Sequence, residues 1–317
     1  MLSLFVLLKA KADLILLIMI TKILLFTIYS IKQWRKIVEE GKMKKIAFQG
    51  ALGAYSHIAC ENVFPGEEYI PVDTFEDAMG MVQTGSADYA VIPVENSNAG
   101  RVTDVHFLLP KTNLNIIGEY FLRIEHQLLS LPSANLEDIK KVASHPQALS
   151  QCSNYIKNHN IKPVSQIDTA KSCVGVIEKQ DKSVAVIASK KAADIYGMRI
   201  LASNIENDSN NTTRFLIMSR DKSIWPVEEG KYITSLVFVV KHIPSALYHA
   251  LGVFADANIN IGKLESYVVG GNFVSAQFYV ELEGHCDSVN VKQAIKRLET
   301  YTEDIHFLGT YKADSYR

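Results

Sequence analysis

The sequence predicts an α/β protein in two parts: an alternating strand–helix body over residues 43–220 and a βαββαβ domain of ferredoxin-like order over residues 232–317. Three observations predict it. From Met43 onward, short apolar runs alternate with helices that carry their own start and stop signals. The polar stretch "DKSIWPVEEGK", 221–231, interrupts that rhythm as a linker, with Pro226 as breaker and Gly230 as hinge. Beyond it comes one strand, helix, strand, strand, helix, strand series with a hairpin turn at Gly270–Gly271.

In order along the body, "KKIAFQ" is a buried strand, followed by a glycine turn and a helix through "HIACENVF" that Ser56 is placed to cap. The helix "FEDAMGMVQTG" is capped by Thr74, with Asp77 three residues on, and closed by Gly85; it delivers the chain to the strand "YAVIPVEN" and the turn "SNAG". "KVASH" leads into the Pro146-started helix "PQALSQCSNYIKN", "KPVSQI" into the Asp168-capped helix "TAKSCVGVIEK", and "SVAVIAS" into "KKAADIYG". "TRFLIMSR" is the last strand. This alternation implies a largely parallel sheet. In the second domain the strands are "ITSLVFVVK", "INIGKLESYVV", "FVSAQFYVELEG" and "IHFLGTYKA", and the helices are "SALYHALGVFADAN" and "SVNVKQAIKRLETYT".

Composition narrows the function. The 317 residues are 48% apolar and 21% charged, with a net charge of −1, so there is no basic field for nucleic acid. Cys60, Cys152, Cys173 and Cys286 form no CxxC pair, which argues against a zinc site or a disulfide framework and for a reducing compartment. The opening stretch disagrees: "LILLIMITKILLFTIYSI", 14–31, is long enough to span a membrane. A cleaved signal peptide fits poorly, since no small-x-small site follows the run. A signal anchor would leave the bulk of the chain cytoplasmic, because Lys32, Arg35 and Lys36 outweigh Lys9 and Lys11. The reading adopted is that translation starts at Met43, that residues 1–42 are not made, and that the protein is cytoplasmic; inner-membrane anchoring is the alternative.

Each polar cluster of the body falls where a strand ends: "GALGAYS", "ENSNAG", "SHPQAL" and "DTAKS". Ligands of open α/β sheets bind outside the carboxyl ends of strands, near helix N-termini that favour anions. The four loops therefore suggest one small, oxygen-rich anion, with Glu95, Asn96 and Ser97 offering a carboxylate, an amide and a hydroxyl in one turn and Gln147 and Thr169 as neutral partners. Each residue also has a bland reading. Ser56 and Asp168 serve equally as caps, His145 as a loop histidine or a proton donor, and Arg214 as a solvated charge at a strand start.

Taken together, "VIPVENSNAGRV", "SHPQALSQC", "DTAKS" and "NNTTRFLIM" resemble the prephenate dehydratase family over residues 43 to about 220, and residues 232–317 resemble the ACT regulatory module that commonly follows it. The resemblance implies a two-lobed catalytic domain like a periplasmic binding protein, a cleft between the lobes, and decarboxylative dehydration of prephenate to phenylpyruvate without metal or cofactor. It assigns Thr213 the hydrogen bond to the departing hydroxyl and Arg214 a grip on a substrate carboxylate. Phe215 packs on the ring or anchors the strand. Glu95, Asn96 and Ser97 shape the cleft, with Glu95 a candidate proton relay, and Ser56 keeps a polar contact in a loop where this chain has Gly53-Ala54-Tyr55-Ser56 in place of a G-T-F-S run.

For the second domain the resemblance implies paired domains in a homodimer or homotetramer that enclose L-phenylalanine, with Ala246, Leu247, Asn260, Glu265 and Ser266 as effector contacts. The chain departs from the G-A-L and E-S-R-P motifs at Ser245, Tyr267 and Val268, so weaker feedback, or an oligomerising domain without effector, is expected. Arogenate is the alternative substrate. A membrane-anchored solute-binding protein or a metabolite-sensing regulator would share the fold class but leave "TTRF" and the second domain without a purpose.

Overall fold

The computed structural model describes residues 43–166, 169–222, 230–268 and 276–317. The apolar N-terminal stretch, the Asp168 cap, Pro226 and the Gly270–Gly271 turn lie outside the described residues. No described helix is long and apolar enough to cross a membrane.

The body contributes strands β1 (Lys45–Gln49), β2 (Glu68–Val72), β3 (Tyr89–Asn96), β4 (Gly100–Arg101), β5 (Asn115–Arg123), β6 (Gln127–Ser130), β7 (Lys141–Ser144), β8 (Lys162–Ser165), β9 (Val184–Ala188), β10 (Arg199–Ala202) and β11 (Thr212–Ser219). They form two sheets, and hence two lobes. The first has the order β2-β1-β3-β11-β5, with β4 on β3; the second has the order β10-β6-β9-β7-β8. The chain crosses between lobes at Arg123–Ile124 and returns through 203–211, so the two-lobed α/β architecture is as expected.

The sheets are mixed rather than largely parallel. β1 is parallel to β2 and β3, but β11 re-enters the first sheet antiparallel to both β3 and β5, and β6 is antiparallel to β9 and β10. Strands β2, β5, β6 and β10 escaped the strand–helix alternation. Three of them, β5, β6 and β10, belong to the crossings between lobes, where no helix intervenes to mark them.

Local signals behave as their chemistry dictates. Thr74 Oγ accepts the Asp77 N–H at 3.0 Å, Ser189 Oγ accepts the Ala192 N–H at 3.0 Å, and Gly85 and Gly197 close their helices in the left-handed region. Two readings change. The first helix is Tyr55–Val63 with Ala54 at its cap position, so Ser56 lies inside it and does not cap. The Pro146 helix divides at Cys152 into Pro146–Gln151 and Ser153–Asn158.

Residues 232–312 form strands β12 (Tyr232–Val240), β13 (Ile261–Val268), β14 (Ala276–Glu283) and β15 (Thr302–Lys312), with helices Ala246–Asp256 and Val289–Leu298. The order β13-β14-β12-β15 and the antiparallel pairing are those of a ferredoxin-like βαββαβ sheet. One face carries the helices over Leu236, Phe238, Val280 and Leu282. The other lies on the first lobe, where Ile233, Val237, Tyr279 and Tyr311 share one core with Ile92, Val105, Ile116 and Leu216. Burial on both faces explains why "ITSLVFVV" is nearly continuous in apolar character.

One close approach at this joint is backbone to backbone. Gly309, at φ 151°, lies where an added Cβ would collide with the carbonyl of Ile116 on β5. Gly309→Ala is therefore expected to destabilise the protein by roughly 1–3 kcal/mol, the range for overpacking a filled core. A thermal melt indistinguishable from that of the parent would show that the two strands are free to separate.

Candidate active site

Between the lobes lies a cavity of about 470 Å3. Ser56, Asn96, Gln147, Thr169, Thr213 and Phe215 meet there, together with His145. Strand geometry selects them. Along β11, alternation turns Thr213 and Phe215 to the cleft and Arg214 away. On β3, a register shift opposite Arg214–Phe215 brings both Pro93 and Asn96 to the cleft side.

Asn96 is the centre of a buried amide network. Its Oδ1 accepts the backbone N–H groups of Asn98 at 3.1 Å and Ala99 at 2.9 Å. Those groups can only donate, so the orientation of the side-chain amide is fixed. Nδ2 must then face the other way, where it donates to Asn211 Oδ1 at 2.8 Å and Thr213 Oγ at 3.0 Å. A hydroxyl that accepts from an amide keeps its own proton for another partner. Among the described residues no acceptor takes the Thr213 O–H, which is left to donate into the cavity that Thr213 borders.

The network continues through residues that sequence reasoning missed. Gln151 donates to Asn96 Oδ1 at 3.3 Å, and its Oε1 accepts from Asn211 at 3.1 Å and from His126 Nε2 at 2.9 Å. That assigns the His126 proton to Nε2 and leaves Nδ1 to accept from the Tyr55 hydroxyl at 2.8 Å. Gln151 was legible: it stands one helical turn from Gln147, on the same face. His126 was not, since it stands just before the unread strand β6.

Burial lowers the His126 pKa, against the opposing Gln151 hydrogen bond, and burial likewise lowers His57 and His106. All three are neutral near pH 7, and the buried thiols of Cys60 and Cys152 are pushed up and inert. The three imidazoles take up protons in the unfolded chain near the ordinary value of 6.5, but only at lower pH in the folded one. Their stabilising contribution is thus complete above 6.5 and is lost as pH falls through the depressed folded values. The melting temperature is expected to drop between pH 7.5 and 5.5; a flat profile over that window would contradict the neutral assignment.

Several expected site residues are elsewhere. Arg214 does not reach the cleft: it is 5% exposed and pairs with Glu119 and Glu281, each at 2.8 Å, with Nη2 also donating to Tyr311 at 3.1 Å. Alternation along β11 is the reason. Glu95 turns to the opposite side from Asn96 and pairs with Lys263 at 2.9 Å, so its place is not that of a proton relay. Ser97 is exposed and staples the return segment, donating to Asn210 O at 3.2 Å and accepting the Thr212 N–H at 3.0 Å.

In the second domain, Ala246 and Leu247 border a surface groove of about 500 Å3 beside His242 and Tyr248. The other expected effector contacts do not border it. Asn260 gives its carbonyl to the Glu283 N–H, Ser266 is exposed, and the Glu265 carboxylate is taken by Arg101 at 2.8 Å. Among the described residues His285, Cys286 and Asp287 bring three donor atoms within 4.8 Å, but His285 Nδ1 accepts the Asp287 N–H and Asp287 pairs with Lys292 at 2.8 Å, so the turn is closed by its own bonds.

The prephenate dehydratase family model matches residues 46–223. A bifunctional N-acyl-homoserine lactone acylase/prephenate dehydratase of Komagataeibacter europaeus is 40% identical over 272 residues, 86% of this chain and 97% of that protein. A chloroplastic arogenate dehydratase/prephenate dehydratase of Arabidopsis thaliana is 40% identical over 287 residues, 86% of this chain and 73% of its own length. The crystal structure of a prephenate dehydratase from Arthrobacter aurescens in complex with L-Phe superposes with a TM-score of 0.78 at 29% identity, covering 84% of this chain and 89% of that one. With the cleft, the Thr213 network and these likenesses in agreement, the chain belongs to the prephenate dehydratase family.

Proposed function

We propose that the chain is a prephenate dehydratase, a carbon–oxygen lyase that converts prephenate to phenylpyruvate in L-phenylalanine biosynthesis. In this reaction the bond to the ring carboxylate breaks and releases CO2. Its electron pair aromatises the ring, and the ring hydroxyl departs with a proton as water. Aromatisation drives the step, so the protein need only orient the dianion and stabilise the departing oxygen. The observation that carries this reading is the Thr213 hydroxyl, held as an acceptor by Asn96 and so presenting its proton to the cleft beside Ser56, Gln147 and Thr169.

No Lys or Arg borders the cavity among the described residues. The counter-charge for a carboxylate comes from the N-terminus of the helix Tyr55–Val63, whose cap position, Ala54, offers no side-chain acceptor. The first-turn N–H groups are thus available to an anion, beside the Ser56 hydroxyl. The setting that goes with this reading is a cytoplasmic protein with L-phenylalanine as effector of a homodimer or homotetramer; the L-Phe complex of the Arthrobacter aurescens relative supports the effector.

A second reading, arogenate as substrate, is favoured by Asp104, the one carboxylate among the described residues that line the cavity. A side-chain amine would pair with it where a keto group would not. The test is purified protein mixed in turn with prephenate and arogenate, following phenylpyruvate and phenylalanine. Release of neither product would refute both readings, and the ratio of kcat/KM values decides between them.

A further inference from the structure

The hairpin β3–β4 and the helix that follows it, Thr103–Leu108, have two faces. Asn96, Val102 and Asp104 border the cleft. Glu95 and Arg101, directly paired across the hairpin, and His106 point to the opposite side. There they meet β13 of the ferredoxin-like sheet, through every second residue of that strand. Lys263 pairs with Glu95 at 2.9 Å, Glu265 pairs with Arg101 at 2.8 Å, and the Tyr267 hydroxyl meets His106 Nδ1 at 2.7 Å. Lys263 also lies 3.5 Å from Glu265, so the four charges form a connected set of zero net charge.

The ladder is ordered as well as complete. His106 Nε2 lies 3.2 Å from the Val94 carbonyl. Burial keeps this imidazole neutral, and a carbonyl can only accept, so Nε2 carries the proton and Nδ1 accepts from Tyr267. Tyr267 is buried, and Lys263 is only 11% exposed along its side chain. The Tyr267–His106 rung is therefore shielded from solvent, whereas the Arg101–Glu265 and Lys263–Glu95 rungs are partly open to it on the Arg101 and Glu95 sides. The intervening residues Leu264 and Ser266 are exposed on the other face of β13.

We infer that Lys263, Glu265 and Tyr267 are positioning residues for the cleft: one face of β13 fixes the hairpin and helix 95–106, and through Asn96 fixes the Thr213 hydroxyl. Tyr267, which departs from the motif of related regulatory domains, thereby has a definite task as the third rung. The inference rests on the dehydratase reading for its kinetic consequence but not for its structural one.

The test uses the full chain in three variants, Arg101→Gln, Glu265→Gln and their combination, with Tyr267→Phe as a fourth that removes one oxygen and no charge. Each single charge variant is expected to lower kcat by about three- to tenfold with KM within about twofold, since the effect falls on groups that act in the transition state. The double variant is expected to be no worse than Glu265→Gln alone, because that single change already removes the Arg101 contact along with the longer Lys263 one. Independently of any substrate, hydrogen exchange of peptides covering 95–106 is expected to rise in all four variants while peptides covering 46–63 stay unchanged.

A parent protein inactive on prephenate and arogenate would remove the dehydratase reading and leave the exchange experiment to decide the ladder. Unchanged exchange at 95–106, multiplicative losses in the double variant, or kcat at the parent level in an active enzyme would each overturn the inference. Loss of melting temperature alone, with kcat intact at saturating substrate, would also overturn it by reducing the contacts to structural ones.

Discussion

Thr213→Ala is expected to lower turnover on the order of 10²-fold or more while leaving KM nearly unchanged, by analogy with the loss of one transition-state donor. The asymmetry follows from the chemistry. In the bound substrate the ring hydroxyl is neutral and gains little from a donor, whereas negative charge grows on its oxygen as the C–O bond breaks. In the proposed reaction the Thr213 proton would serve at that moment, because Asn98 and Ala99 fix the Asn96 amide and the amide donates to the threonine oxygen. Thr213→Ser, which keeps the hydroxyl, should retain most activity. Steady-state kinetics with circular dichroism as a folding control make the measurement, and an alanine variant with parental kcat would remove Thr213 from the mechanism.

The second large effect concerns Arg214, and it is an effect on stability rather than on substrate affinity. The guanidinium is buried between Glu119 and Glu281, and Arg317 closes the set with bonds of 2.8 Å to Glu119 and 2.6 Å to Glu281. Burial pushes the Glu281 carboxyl up, but Arg214 and Arg317 outweigh it and hold the group below its ordinary value. Arg214→Met would leave two buried carboxylates facing one cation, and breaking a buried pair in this way costs about 3–5 kcal/mol. Urea denaturation should show that loss, with Arg214→Lys between the two because an ammonium lacks the fork that serves both glutamates. A small change in stability joined to a large rise in KM would instead restore Arg214 to the substrate.

Much of this was legible in the sequence, and the failures have physical causes. The polar loops at strand ends marked the cleft correctly because that placement follows from the topology of α/β sheets. Thr213 and Phe215 face it together, as a period of two requires, and the same period removes Arg214 and Ser97 from it. Motif proximity suggests a shared site, but adjacent residues of a strand look in opposite directions. Glu95 and Asn96 repeat the lesson one strand away. His126 and Tyr55 were missed because the network joining them to Gln151 spans separations of 25 and 71 residues, which no local pattern encodes, whereas Gln151 itself could have been read from its place one turn after Gln147. The ferredoxin-like order was readable from its elements, whereas the face it presents to the first lobe showed only as excess apolar character in β12.

That shared face has a consequence for how the protein behaves as a machine. A polar linker at 221–231 suggests beads on a string, yet the apolar core runs without a break from the first lobe into the ferredoxin-like sheet. Severing the chain at the linker would therefore give two fragments, each with a bare oily surface, and neither a free-standing module. Among the described residues, the first lobe and the second domain share one core, while the second lobe has its own sheet and core and joins them through the chain crossings at 123–124 and 203–211. The core that the ferredoxin-like sheet shares includes Leu216 and Met218 of β11, so the strand that carries Thr213 is packed from behind by the second domain.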